Sequence, residues 1–352
     1  MANSAIQSQP IEVDPVVVPG SLRNKIINGQ FDIWQRGTSF DAPSGALPAG
    51  THLYTADRWN WQLSGDNGTA DLAISKVEQA TFASGQTEVP DNPTFYMKWR
   101  GAFIGVVNGD EELSMTQQIE NARTLAGQKA TLSFWAKGDV AGTILVSTRQ
   151  NLGIGGDISD FPIFVPVALT TSWQKFVVVL DVQSIVGKAL GQNDQFLSLR
   201  FTSILGADVA TLTGSITVNY TDTISLANVQ FEEGDIDDPE FEDRDVGLEL
   251  IMCQRYYELA NREESNFATI GLTNEMWHNF KVTKRVEPSI IYNFFENPST
   301  SPNIVASPIV EFSKIDGFGI RYEPLNTADA TIIAANESPG LTRGPWSADA
   351  EL

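Results

Sequence analysis

A chain of 352 residues with 44 acidic against 23 basic side chains carries a formal charge of -21 at neutral pH. That field repels nucleic-acid phosphates and no Lys/Arg stripe interrupts it, which excludes nucleic-acid binding as an expected function. Cys253 is the single cysteine, so no intrachain disulfide forms, and no apolar run approaches the roughly 18 residues of a membrane helix, so no membrane insertion is expected.

The length suits two or three folded units. Residues 1–24 mix Ser, Gln, Pro and Val without a period, and Pro10, Pro15 and Pro19 keep them extended, so they read as an N-terminal arm. They lack the basic start and apolar stretch of a signal peptide, and a soluble protein outside ordinary secretion is expected.

Residues 25–243 carry strand signals separated by Gly/Asp turns such as Gly153–Asp157 and Leu205–Asp208. Leu197, Leu199 and Phe201 alternate with polar neighbours, which predicts a half-buried strand with Arg200 facing water. Ile216, Val218 and Tyr220 alternate likewise. Phe176–Leu180 is a continuous apolar run, predicted as a central strand covered on both faces. Ile224 and Leu226 have one parity, Val229 and Phe231 the other, and a bulge between them would turn all four inward. Short helices are expected at Met115–Leu125 and Val182–Leu190.

From Glu232 to Asp245 nearly every second residue is acidic. This reads as a solvated linker, with calcium binding as the alternative, although the spacing is not that of an EF-hand. Leu248, Ile251, Met252, Tyr256 and Leu259 then recur at helical spacing behind Asp245 as N-cap, predicting a linking helix within residues 244–262 whose apolar face packs on the sandwich or on sister subunits. Residues 263–352 return to strand patterns at Phe280–Val282, Ser289–Phe294, Ile309–Phe312, Gly319–Tyr322 and Thr331–Ile333. The expected fold is mainly β: a jelly-roll β-sandwich followed by a short helix and a second, smaller β-sandwich-like domain. Phe294 and Phe295 of the last unit point to opposite faces, and a trimer interface would cover both.

Catalysis is not expected. His52 and His278 are the only histidines, which removes most Ser/His and metal-hydrolase schemes, and the glycine-rich Gly153–Gly156 lacks the lysine of a phosphate cradle. Aromatic faces stack on sugars, which makes Trp59 and Trp61 in the sandwich, and Trp277 and Tyr322 in the C-terminal domain, the candidate glycan or receptor contacts. Large aromatics fill cores more often, and Trp135 and Trp173 read as core. Asn28, Asp32 and Asn228 read as turn residues, or else as a structural calcium position.

Three segments taken together resemble the tail-fibre and tail-fibre-like proteins of tailed bacteriophages. They are Ile26–Gly37 with Tyr54–Trp59, then Leu132–Gly138 with Thr171–Phe176, and finally Val229–Gly234 running into Cys253-Gln254-Arg255-Tyr256-Tyr257. The resemblance covers Lys25 to Glu258, and Val286 and Glu287 depart from the family's later strand motif. It implies a jelly roll similar to carbohydrate-binding modules in a commonly homotrimeric virion appendage. Such an appendage would attach to other virion proteins by its arm, meet a host-surface glycan or protein with its distal domain, and be assembled in the host cytoplasm. A purely structural capsid-decorating or head/collar fibre role is the alternative. A glycan-degrading tailspike is the second, disfavoured by the absence of a β-helix repeat.

Overall fold

The computed structural model describes residues 22–41, 45–46, 52–64, 71–104, 109–260, 266–270, 273–292, 309–322 and 346–351. The predicted arm lies outside these except for its last three residues, as do Thr331–Ile333, Phe294 and Phe295. Arg23 and Asn24 are fastened to the sandwich: Arg23 pairs with Glu232 at 3.2 Å, and the Asn24 amide donates to the Val229 carbonyl at 3.1 Å.

In chain order the strands are β1 (Ser39–Asp41), β2 (Gly45–Ala46), β3 (His52–Tyr54), β4 (Trp59–Ser64), β5 (Asp71–Thr81), β6 (Phe95–Ile104) and β7 (Glu112–Glu120). There follow β8 (Lys129–Gly138), β9 (Gly142–Ile154), β10 (Val165–Leu169), β11 (Gln174–Asp181), β12 (Gln192–Leu205), helix α1 (Ala207–Thr213), β13 (Val218–Asn219) and β14 (Ile224–Glu233). They make two seven-stranded antiparallel sheets, a jelly-roll sandwich. Sheet A runs β1-β5-β6-β14-β8-β11 with β2 on β5, and sheet B runs β10-β9-β12-β7-β4-β3 with β13 on β12.

The core lies between the sheets. Trp99, Leu132, Phe134, Leu226 and Phe231 of sheet A meet Trp59, Trp61, Met115, Leu199 and Phe201 of sheet B. The phase change in β14 is absorbed by a register shift between Ala227 and Gln230, where Asn228 takes φ 47°, so Ile224, Leu226, Val229 and Phe231 are all buried. Gly29 is required nearby: a Cβ there would sit 2.2 Å from the Val229 carbonyl oxygen.

The C-terminal part comprises α2 (Val246–Gln254), β15 (Tyr257–Ala260), β16 (Asn266–Ile270), β17 (Thr273–Asn279), β18 (Ser289–Tyr292), β19 (Ile309–Ser313), β20 (Gly317–Tyr322) and β21 (Trp346–Asp349). They form a three-stranded sheet β15-β21-β18 and a four-stranded sheet β16-β17-β20-β19.

Several local expectations are corrected. Met115–Glu120 is strand, hydrogen-bonded along both edges in sheet B, and no helix forms at Val182–Leu190; a helix lies instead at Ala207–Thr213, beginning in the last two residues of the Leu205–Asp208 turn. The Phe176–Leu180 run belongs to β11, which among the described residues is an edge strand paired only with β8, and Val177 and Val179 face outward with 36% exposure. Phe280–Val282 is not strand. Helix α2 has Asp245 as its cap, the carboxylate accepting the Gly247 N–H at 2.8 Å, but it ends at Gln254 because Tyr257–Ala260 pairs with β21 instead. Its buried residues are Cys253 and Gln254, while Val246, Leu248 and Ile251 are exposed, so part of the predicted apolar face meets solvent. The acidic stretch is partly tethered: Asp235 pairs with Lys129, Asp238 with Lys175, and Glu242 accepts the Asn24 N–H.

Candidate functional site

Alternation along β4, β7, β12 and β9 turns one set of side chains to the core and the other to the outer face of sheet B. Register then decides which outer residues meet. Asn60 is opposite Thr116, Thr116 opposite Arg200, and Arg200 opposite Ser147, so one row crosses four strands. All four residues are buried, and each has at least one polar atom without a hydrogen-bond partner: Asn60 Nδ2, Thr116 Oγ1, Ser147 Oγ, and both Nε and Nη1 of Arg200.

Arg200 corrects the expectation that it faces water: its side chain is 3% exposed, and Nη2 binds Glu112 Oε1 at 2.5 Å. Ser114 donates to the same oxygen at 2.9 Å. The charge is tolerated because a carboxylate is buried with it. Beside this row lies a cleft of about 600 Å³, lined among others by His52, Gln62, Gln118, Arg149, Phe196 and Arg200. His52 Nδ1 lies 3.4 Å from Asn60 Oδ1, and Tyr54 donates from its hydroxyl to Gln118 at 3.2 Å. The pKa of exposed Arg149 is lowered, first by loss of hydration against the protein and then by the Arg200 charge, with Glu112 acting in the opposite sense.

The sequence-nominated aromatics stand elsewhere. Trp59 is fully buried, its ring 5.3 Å from Phe31 and 6.2 Å from Phe201, and its Nε1 donates to the Asn28 carbonyl at 3.1 Å. Trp61 is 3% exposed and faces the same core, so neither ring offers a face to a sugar. Trp277 and Tyr322 lie on β17 and β20; their side chains are outside the described residues. Trp173 is buried and Trp135 half-buried, but in a satellite cluster with Phe82, Tyr96 and Val89, apart from the main core. Asn28 is spent on the backbone, its amide oxygen accepting Ile33 N–H and its NH₂ donating to the carbonyls of Ile33 and Asp57. Asp32 borders a cavity of about 10 Å³, the scale of a single water, and among the described residues no group of three or more His, Cys, Asp or Glu is arranged for a metal ion.

The two motifs that flank the sandwich meet in a clasp. Tyr256 stacks on Arg58 with the guanidinium carbon 3.3 Å from the ring centre, and Tyr257 stacks on Arg36 at 3.6 Å. Glu351, near the far end of the chain, pairs with both: with Arg58 Nη1 directly and with Arg36 Nη1 at 3.4 Å. Desolvation alone would lower the Arg58 pKa, but the Glu351 charge raises it, helped by Tyr256 and Tyr54. Asp57 accepts both the backbone N–H and the side-chain amide of Gln35 at 2.6 Å, and that amide also donates to the Tyr257 carbonyl at 2.9 Å. The clasp therefore binds the sandwich, the segment that follows α2 and Glu351 together, and the Arg58 guanidinium also donates to the carbonyl of Gln118, a cleft residue.

The fold is a jelly-roll β-sandwich with a cleft on the outer face of sheet B. No family model and no curated protein matches the chain. Among solved structures it is similar to the enzymatically active domain of tailspike protein 4 of bacteriophage CBA120, at 15% identity and TM-score 0.34, over 60% of this chain and 21% of that one. It is also similar to the family 11 carbohydrate-binding module of Clostridium thermocellum in complex with a β-1,3-1,4-mixed-linked tetrasaccharide, at 13% identity and TM-score 0.30, over 57% of this chain and 97% of that one. A third similarity is to the CBM22-1 xylan-binding domain of Paenibacillus barcinonensis, at 12% identity and TM-score 0.28, over 53% and 97%.

Proposed function

We propose that the chain is a non-enzymatic, glycan-binding structural protein of a tailed-phage particle, taking sugar in the cleft on the outer face of sheet B. The cleft itself carries this reading: His52, Gln62, Gln118, Arg149, Asn151 and Ser198 line it with hydrogen-bonding groups. Polar groups converging on a concave surface are the arrangement that hydrogen-bonds a ligand. Amide, hydroxyl and guanidinium groups side by side match a polyhydroxylated one.

The virion part of the reading is supported by the resemblance of Ile26–Gly37, Tyr54–Trp59 and Cys253–Tyr257 to phage fibre proteins, residues that converge on the clasp. In this reading the N-terminal arm attaches to other virion proteins, and the exposed Val246, Leu248 and Ile251 of α2 support self-association in a homotrimer. Recognition of the host surface then falls to the sandwich as well as to the distal strands.

The test is binding of the purified chain to immobilised host-surface polysaccharide, together with competition against phage adsorption. Binding is expected, and replacing the exposed His52 and Asn151 with Ala should weaken it by roughly tenfold. A wild-type chain that neither binds nor competes overturns the glycan reading in favour of a decorating role on head or collar. Shortened polysaccharide after incubation would instead establish a glycan-degrading tailspike. Light scattering that reports a monomer at micromolar concentration would reject the trimer.

A further inference from the structure

We infer that the cleft takes a carboxylate-bearing sugar, a uronic or nonulosonic acid unit whose carboxylate is held by Arg149 beside the positive charge of Arg200. The inference rests on the glycan reading above and adds the charge of the ligand. In a chain of net charge -21, two guanidinium groups line the cleft, Arg149 exposed and Arg200 buried, and neither is fully hydrogen-bonded. Arg200 uses Nη2 on Glu112 and has no partner for Nε or Nη1. Arg149 makes one long hydrogen bond, Nε to Ser159 Oγ at 3.5 Å, and no ion pair among the described residues.

Of the acids that line the cleft, Asp157 accepts the Ala189 N–H at 2.6 Å and Asp194 lies 3.6 Å from Arg285, and neither pairs with Arg149 or Arg200; Glu112, buried beside the cleft, is shared by Arg200, Ser114 and Thr202. Arg149 therefore stands beside a second cation, and its pKa is lowered first by lost hydration and then by the Arg200 charge, with Glu112 opposing. An entering carboxylate relieves that repulsion and fits the fork of N–H groups, which a neutral hydroxyl does not. Phe196 is the only Phe, Tyr or Trp among the described lining residues. Stacking on the apolar faces of a neutral chain therefore has one ring to work with, and the charged contact carries the selectivity.

A glycan array holding neutral, uronic and nonulosonic members is the first measurement on the full chain; calorimetry of the best acidic binder against its methyl ester is the second. The acid should bind at least about tenfold more tightly than the ester, as a charge-assisted contact is worth, and Arg149→Gln should remove the difference. Arg149 is exposed, so its replacement leaves folding intact, and circular dichroism of the variant checks this. Equal affinity for acid and ester, or binding to neutral members only, overturns the inference while the glycan reading stands. An acid preference unchanged in Arg149→Gln also overturns it. No binding to any member of the array overturns both.

Discussion

Arg58 shows how much one side chain can be asked to hold. Its guanidinium is 1% exposed, ion-paired to Glu351, stacked on Tyr256 and hydrogen-bonded to the Gln118 carbonyl. Breaking a buried pair from one side leaves the other charge stranded, at a cost of about 3–5 kcal/mol. Arg58→Ala is therefore expected to lower unfolding free energy by that amount in urea titrations, and a loss below about 1 kcal/mol would show that the clasp adds nothing. Asp349, the other partner of Arg36, is 42% exposed, and Asp349→Asn should cost no more than about 1 kcal/mol in the same titration. Cys253 lies beside this clasp, fully buried, and burial pushes its thiol well above the ordinary range. The thiolate is the reactive form, so a maleimide should leave the native chain unlabelled and modify it fully in denaturant. Fast labelling of the folded protein would contradict that placement.

At the scale of elements, what was legible in the sequence is what is local. Asp245 caps α2 because its carboxylate reaches an N–H two residues on, and Asp245→Ala should cost about 1 kcal/mol by thermal unfolding, with an unchanged melting temperature refuting the cap. The bulge at Asn228 was equally legible, since a parity change within one strand has no other way to bury both pairs. Strand order was not. Nothing within Phe176–Leu180 says that β11 has, among the described residues, a neighbour on one side only, because that depends on β8 and on which other strands reach this edge of sheet A. The cleft was hidden for the same reason. His52, Gln62, Gln118, Arg149 and Arg200 come from five strands, and only the registers of the strand pairs, with Gln118 opposite Ser198 and Ser198 opposite Arg149, bring them to one cleft. Arg200 shows the limit most clearly: period two assigned it to the outer face, as observed, but a one-strand pattern cannot say that Glu112 on the neighbouring strand shares its burial. Trp59 and Trp61 drew attention by size, and size is what placed them between the sheets.

For the whole molecule, acidity and burial act in the same direction. Asp32, Asp57, Glu249 and Glu351 all have raised pKa values, in each case chiefly because burial removes the water that would solvate the charge. Asp243 adds repulsion at Asp32, whereas Arg244 and the Asn28 N–H offset part of the shift at Glu249. Between the ordinary carboxylate values, 3.8 for Asp and 4.5 for Glu, and the higher native ones, the folded chain binds protons that the unfolded chain has released. The number of protons bound is then larger in the native state, so stability falls as pH rises through that window and is flat on either side of it. The net charge of -21 works the same way, since each carboxylate ionised adds to self-repulsion in the compact state. The melting temperature is accordingly expected to rise when pH is lowered from about 7.5 to about 5, the interval just above those carboxylate values, with added salt narrowing the difference by screening the repulsive part alone. Differential scanning calorimetry across that interval decides the matter. A melting temperature that climbs steadily with pH would mean that Arg58, Arg36 and Arg244 hold these carboxylates ionised more strongly than burial opposes it, and would turn the clasp from a desolvated pair into a net source of stability at neutral pH.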